Sequence, residues 1–261
     1  MQSLRLTHML SHYINPTIMN NKIVTVKDAG LNLNTIVQML THGGVIALPT
    51  DTIYGLACSV HNTEAIERIF RIKGRCENKP MAICLDQVSN IPYWCDTKSI
   101  PSGLLSDLLP GPVTVLLPRF MDKLQDPLNP RLNPGEKRVG IRIPDSGFIR
   151  KLISALHVQS PIVNGGHPLV LTSANSSGQS SALQIEEFSE LWSLVDLIIN
   201  GGPIQSNVFS LSSPDYNRAG STIVDLCNCD KYVYSIVRDG SALDATVAIL
   251  EGRYNLTRAK Y

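Results

Sequence analysis

The sequence predicts an α/β domain built on one mixed sheet, and three observations carry that prediction. Short apolar runs such as VIALP, GPVTVLLP and PLVLTSAN have strand length, and VIALP runs without alternation up to its proline, as a buried strand does. Between such runs, apolar residues recur at helical spacing, as in Ala65, Ile66, Ile69 and Phe70. Composition does not shift between about residues 25 and 255, so the alternation is assigned to a single domain over 23–255. Residues 1–22 read as a flexible tail, with a weak mitochondrial targeting segment as the alternative: Arg5, Lys22 and Lys27 are its neighbourhood's basic residues, and no acidic residue precedes Asp28.

In chain order, Ile23–Val26 reads as a short strand. Ile36, Val37 and Leu40 form a helical stripe that stops at Gly43-Gly44, a natural end signal. The VIALP strand follows, then Leu56–Val60 as another. The helix carrying Ala65, Ile66, Ile69 and Phe70 is capped by Asn62 or Thr63, with Glu64 and Glu67 in its first turns. That places Lys73 at its end and Arg75 in the loop beyond, before a strand over Met81–Leu85. Leu104–Leu109 is helical, GPVTVLLP a strand, and Val139–Ile143 a strand interrupted by Arg142. Phe148–Leu156 is helical, and PLVLTSAN is a strand running into a polar turn. Ile185–Leu194 is helical, Leu197–Ile199 is a strand closed by NGGP, and Thr222–Asp225 and Tyr232–Val237 are strands before a closing helix over Leu243–Leu250. The segments 121–137 and 200–219 are rich in Pro, Asn, Ser and Gly and read as loops. The small polar run NSSGQSSA at 175–182 is either a flexible linker or a source of hydroxyls and N–H groups for a phosphate.

Composition narrows the function classes. The chain has 261 residues, 43% of them hydrophobic and 17% charged, which supports a packed core and argues against disorder. A net charge of +1 gives no global attraction to nucleic acid or an anionic membrane. No apolar run approaches the ~18 residues of a membrane helix. The six cysteines include no CxxC pair, and Cys227-Asn-Cys229 has the wrong spacing for a zinc knuckle. The histidines do not pair at metal-ligand spacing, and no P-loop, dinucleotide fingerprint, HExxH or GxSxG motif is present.

What remains is a set of polar residues at strand ends, where α/β sheets bind ligands. Thr50, Asp51 and Thr52 follow one strand, and Lys73 and Arg75 follow a helix. Thr114 and Arg142 lie within strands, Ser173 and Asn175 end one, Ser221 and Thr222 open one, and Arg238 closes another. Any one of these has a bland reading as a turn cap or a solvated cation. As a set, four cations with several hydroxyls suit a ligand carrying phosphates and a carboxylate.

LPTDTIYGLACSV, the Lys-x-Arg of KGRCENKPMAI, LLPGPVTVLLP, VGIRIPD, LTSAN and GSTIVDL followed by IVRDG occur in one order along the chain. Together they resemble the YrdC-like family of L-threonylcarbamoyladenylate synthases, over about residues 30–250, and most closely its eukaryotic single-domain branch. The resemblance implies a YrdC-like twisted mixed sheet with flanking helices around a deep, positively charged cavity. It implies a nucleotidyltransferase that makes threonylcarbamoyl-AMP and diphosphate from L-threonine, bicarbonate or CO2, and ATP. The product serves N6-threonylcarbamoylation of adenosine 37 in tRNA, through a separate transferase complex. Mg2+ would accompany the ATP, with no tightly held protein-ligated metal.

By the same resemblance, Lys73 and Arg75 act catalytically by holding the triphosphate. Thr50, Thr52, Arg142 and Ser221 hold threonine. Thr114, Ser173, Asn175, Ser181 and Arg238 line the nucleotide side, with Arg218 a further candidate. Cys84 stands where many family members have histidine, so that histidine's role does not transfer. The rival readings are a non-catalytic double-stranded RNA- or ribosome-binding module and a carbamoyl-phosphate-using transferase of hydrogenase maturation. The second needs further domains with zinc-type cysteine repeats, absent here. An RNA contact remains an expectation beside the enzyme reading, and the expected location is cytoplasmic, mitochondrial or both.

Overall fold

The computed structural model describes residues 21–74, 80–122, 126–159, 165–205 and 218–259. Of the expected tail over 1–22, all but two residues lie outside these.

Chain order begins with β1 (Ile23–Thr25), α1 (Val26–Leu31), α2 (Leu33–Thr41), β2 (Ile46–Pro49), β3 (Tyr54–Ser59) and α3 (Thr63–Lys73). Then come β4 (Ala82–Cys84), α4 (Leu104–Leu108), β5 (Val113–Pro118), β6 (Arg138–Arg142), α5 (Gly147–Gln159) and β7 (Leu169–Ser173). The chain finishes with β8 (Leu197–Asn200), β9 (Thr222–Asp225), β10 (Val233–Arg238), α6 (Leu243–Gly252) and β11 (Thr257–Arg258). Short 3-10 turns span Val88–Tyr93, Ile185–Leu194 and Cys229–Lys231.

The strands form one sheet in the order β1-β8-β2-β3-β7-β4-β6-β5-β9-β10-β11. Parallel pairs (β4 with β6, β5 with β9) occur beside antiparallel ones (β3 with β7, β5 with β6), so the sheet is mixed, as the sequence predicts.

Alternation along each strand divides the core in two. In β2, Ala47 joins one apolar cluster while Ile46 and Leu48 join the other; in β3, Leu56 and Cys58 oppose Ala57. Both faces are buried, which is why VIALP shows no alternation. The first cluster takes in α3 through Ala65, Ile66, Ile69 and Phe70. The second takes in α2 through Ile36, Val37 and Leu40, and α5 through Ile149, Leu152, Ile153 and Leu156. Gln159 ties α5 to α2, donating to Asn34 Oδ1 at 2.9 Å and accepting from Gln38 Nε2 at 3.2 Å.

Four local expectations change. Val26 does not extend β1 but starts α1, because Thr25 Oγ1 accepts from Asp28 N at 3.1 Å and caps a helix there. Ile185–Leu194 is not α-helical: it is 3-10, broken at Phe188, whose fully buried ring packs 5.6 Å from that of Tyr54. The second strand of the VIALP hairpin begins at Tyr54 rather than Leu56. A last strand, β11, pairs in parallel with β10 and was not expected. By contrast α3 begins as predicted, with Asn62 Oδ1 accepting from Ala65 N at 2.9 Å. It ends at Gly74, whose φ of 57° lies in the left-handed region that glycine adopts without strain.

Candidate functional site

The helices α2 and α5 cover only half of their face of the sheet. On the other half, β4, β6, β5 and β9 present a mixture of small, apolar and polar residues to the same side: Ala82, Gly140 and Arg142, Thr114 and Leu116, and Ile223. A cavity of about 280 Å³ lies over this uncovered half. Of the predicted site residues, Thr50, Thr114, Arg142, Ser173, Ser221 and Arg238 line it. Thr52, Lys73, Asn175 and Ser181 stand behind the lining, and Arg75 lies outside the described residues.

One end of the cavity is organised around Arg142, which is 5% exposed. Its Nη2 donates to Asp51 Oδ1 at 2.5 Å and to Thr52 Oγ1 at 2.7 Å, while its buried Nε has no hydrogen-bond partner. The loop that supplies these acceptors is held by Thr50, whose Oγ1 donates to Ile53 O at 2.7 Å and accepts from Thr52 N at 3.1 Å. Asp51 Oδ2 also accepts from Asp145 N at 3.0 Å, tying the loop to the start of α5. The guanidinium is therefore fixed on one edge and has donor capacity on another, the arrangement that receives a carboxylate.

Beside it, Thr114 Oγ1 and Ser221 Oγ lie 2.7 Å apart. The sequence reading put these on the nucleotide and threonine sides respectively, and the sheet brings them together because β9 runs alongside β5. Arg238 folds over the same point, its Nε and Nη2 donating to Ser221 O at 3.0 and 2.8 Å and its Nη2 to Ser221 Oγ at 3.0 Å. The backbone of Gly240 passes so close that a Cβ would lie 2.2 Å from Thr222 N, so glycine is required there.

Lys73 corrects an expectation. The sequence places it as an exposed cation at a helix end; the structure buries it to 1% exposure. Its Nζ donates to Ser173 O at 2.5 Å and Asn175 O at 2.6 Å, with Ser173 Oγ and Asn175 Oδ1 each at 3.2 Å. Ser177 N donates back to Lys73 O at 3.0 Å, so the turn after β7 wraps around this side chain. The reason is that Gly74 ends α3 beside the end of β7, within reach of the ammonium. Through this turn Lys73 holds Ser173 at the cavity wall. Asn175 Nδ2 donates to Ser176 O at 3.0 Å and Gln179 O at 2.7 Å, closing the turn on itself. Ser181 contributes its carbonyl, which accepts from Arg218 Nη1 at 2.8 Å, and Arg218 pairs with Glu187 at 2.5 Å. That hydrogen bond holds the Glu187 carboxyl below its usual range.

Cys84 is fully buried in the second apolar cluster, and burial pushes its thiol up, which makes it a core residue. Among the lining residues that the sequence reading did not single out, Tyr54, Arg138 and Glu136 carry polar groups that bear on the site. Tyr54 lines the cavity and its hydroxyl donates to Gly202 O at 2.8 Å, fixing the NGG turn. Arg138 and Glu136 line the opposite end from Arg142. The signal for Arg138 was available: it stands four residues before Arg142 on one strand, hence on the same face. No helix among the described residues is long and apolar enough to cross a membrane.

Comparison with known proteins adds independent findings. The family profile named for Sua5, YciO and YrdC, described as telomere recombination, matches residues 38–240. A Bos taurus protein named threonylcarbamoyl-AMP synthase is 46% identical over 219 residues, covering 84% of this chain and 71% of its own. The structure of E. coli YciO superimposes with a TM-score of 0.64 at 25% identity, covering 81% of this chain and 90% of that one. P. abyssi Sua5 complexed with L-threonine gives a TM-score of 0.64 at 24% identity; it covers 81% of this chain, which spans 54% of that longer one. At that identity the last comparison shows the fold.

Proposed function

The chain belongs to the Sua5/YciO/YrdC family, and on that premise we propose that it is an L-threonylcarbamoyladenylate synthase, a nucleotidyltransferase using L-threonine, bicarbonate or CO2, and ATP. The observation that carries the reading is Arg142: a buried guanidinium locked on Asp51 and Thr52 that lines a cavity of substrate size. The P. abyssi relative's complex with threonine supports a carboxylate ligand for such a cavity.

The amine of threonine adds to CO2, releasing a proton to solvent and giving a carbamate, an anionic oxygen nucleophile. That oxygen bonds to the α-phosphorus of ATP as the bond to the diphosphate oxygen breaks. Little proton transfer is needed at phosphorus, so the protein's work is alignment and neutralisation of two anions. Two unit charges ~4 Å apart interact by about 4 kcal/mol at an effective dielectric of 20, so fixed cations decide whether the reactants meet. Arg142 takes the threonine carboxylate, with Thr50, Thr52 and Ser221 around it. Thr114, Ser173 and Arg238 face the nucleotide, Asn175 backs them through the turn after β7, and Ser181 supports that side through Arg218. Lys73 shapes the Ser173–Asn175 turn and lends its charge to it, and the family resemblance assigns Arg75, which lies outside the described residues, to the triphosphate.

Among the described residues no group of three His, Cys, Asp or Glu side chains could hold a metal ion. Hydroxyl oxygens of Thr50, Thr114, Ser173 and Ser221 line the cavity, and Mg2+ would arrive bound to the ATP phosphates. The ion would neutralise phosphate charge. The product's consumer is a transferase complex that passes the threonylcarbamoyl group to tRNA.

The test is diphosphate release from ATP and Mg2+ with and without L-threonine and bicarbonate. Release that needs both, with an adenylated threonylcarbamoyl product by mass, is expected. Release without threonine would mean a plain ATPase, and none from folded protein would favour an RNA-binding module.

A further inference from the structure

Arg138, Gly140 and Arg142 alternate onto one face of β6, so Arg138 lies about 13 Å from Arg142 at ~3.3 Å per residue. The cavity therefore has two charged ends. At the far one, Arg138 Nε donates to Glu136 Oε1 at 3.0 Å and Nη1 donates to Asp225 Oδ2 at 2.9 Å. Asp225 is itself fixed, its Oδ1 accepting from Cys227 N at 2.9 Å. Between the ends the floor is apolar and low: Gly140, Leu116, Ile223 and Ala82.

The two ends differ in charge. Glu136 and Asp225 on one guanidinium sum to −1, whereas Arg142 with Asp51, plus Arg238, sums to +1. Phosphates and carboxylates are drawn to the second and repelled from the first. A flat aromatic group fits over the glycine-floored middle, and at the far rim it meets a carboxylate, which only accepts hydrogen bonds. We infer that the Glu136–Arg138–Asp225 group is the nucleobase end of the cavity, and that Glu136 selects adenine by accepting a hydrogen bond from its exocyclic amine. This rests on the synthase reading above. Arg138 is a positioning residue, aiming the Glu136 carboxylate, and Asp225 steadies Arg138. A purine with a carbonyl at that ring position turns an acceptor toward the carboxylate and is rejected.

The test compares ATP with inosine triphosphate, which has a carbonyl in place of that amine and a proton on the neighbouring N1, in threonine- and bicarbonate-dependent diphosphate release. A charge-assisted hydrogen bond of this kind predicts a preference for ATP of about 10- to 100-fold in kcat/KM. In Glu136→Gln, whose amide presents both a donor and an acceptor, the ratio is expected to fall to within about threefold. Arg138→Leu, which leaves Glu136 unaimed, is expected to lower the same ratio. If Glu136→Gln does not fold, Glu136→Asp, with the carboxylate withdrawn by one methylene, carries the same expectation. An unchanged ATP-to-inosine ratio in a folded Glu136 variant overturns the inference. So does a loss confined to discrimination against 2′-deoxy-ATP, which would place the carboxylate on the ribose. Failure of the wild-type protein to turn over any nucleotide with threonine would instead overturn the synthase reading.

Discussion

Replacing Lys73 by methionine keeps the length of the side chain and removes the ammonium. At 1% exposure, Lys73 Nζ holds the carbonyls of Ser173 and Asn175 at 2.5 and 2.6 Å. Hydrogen bonds to a charged donor contribute about 1.5–3 kcal/mol each. Removing two is offset in part, because a buried ammonium is itself unfavourable. The net loss expected is about 2–4 kcal/mol, a large share of the ~5–15 kcal/mol that holds a domain together. With a urea m-value of about 2 kcal/mol/M, the unfolding midpoint falls by about 1–2 M. Urea unfolding followed by far-ultraviolet circular dichroism, beside diphosphate release, reads both consequences: the midpoint and the turnover fall together. A wild-type midpoint with lost turnover would refute the reasoning, because the ammonium would then act on ligand and not on the turn. A wild-type midpoint with wild-type turnover would remove Lys73 from both roles.

Arg142→Ala is expected to raise the KM for threonine by about 10- to 100-fold with a smaller effect on ATP; an effect on ATP alone would reverse the assigned ends of the cavity. Gly240→Ala puts a methyl 2.2 Å from Thr222 N and 2.3 Å from Ser221 C, so the backbone under Ser221 and Arg238 has to move. A loss of more than about 1 kcal/mol is expected, and an unchanged thermal midpoint would show that the two segments separate freely. Glu187, held low by Arg218, stabilises the fold above the ordinary carboxylate pKa of about 4.3, and that contribution disappears as pH falls through its lowered folded value. Glu187→Gln should therefore be less stable than wild type at pH 7, with the gap closing as pH falls through the lowered folded value; a gap that stays constant into acid would locate the effect elsewhere.

The apolar strands and the helix α3 were legible in the sequence because their signals are local: runs of buried residues, a 3.6-residue stripe and the Asn62 cap. The order of the sheet was not, since β3 meets β7, and β2 meets β8, through pairings more than a hundred residues apart. The helix α1 was missed because VKDAGL has no apolar stripe, although Thr25 three residues before Asp28 is a capping signal. Thr50, Thr114, Arg142, Ser173, Ser221 and Arg238 of the cavity wall could be named from the pattern of polar residues along and at the ends of strands. The environment of Lys73 could not, because its acceptors are main-chain carbonyls a hundred positions away, which any residue supplies. Arg138 lay open to strand periodicity, but its two carboxylate partners do not: Glu136 precedes the strand, and Asp225 arrives by tertiary pairing.

Gly140 separates the demands of the fold from those of the site. Glycine weakens a strand interior, and replacing it by a β-branched residue normally favours the strand, on a scale of about 1 kcal/mol. A Cβ at Gly140 would meet Ala82 Cβ and Leu116 Cδ2 at 3.4 Å, ordinary contacts that need no shift. Nothing in the packing therefore requires glycine, and its φ is not in the left-handed region. What its missing side chain does is lower the floor of the cavity between the two charged ends. Gly140→Val is accordingly expected to keep or raise the thermal midpoint while its γ-methyls fill the middle of the cavity and abolish diphosphate release. Gly140→Ala, adding one methyl, should fall between. A valine variant that is stable and fully active would mean the reactants do not cross this floor, and would move the substrate path away from β6 altogether.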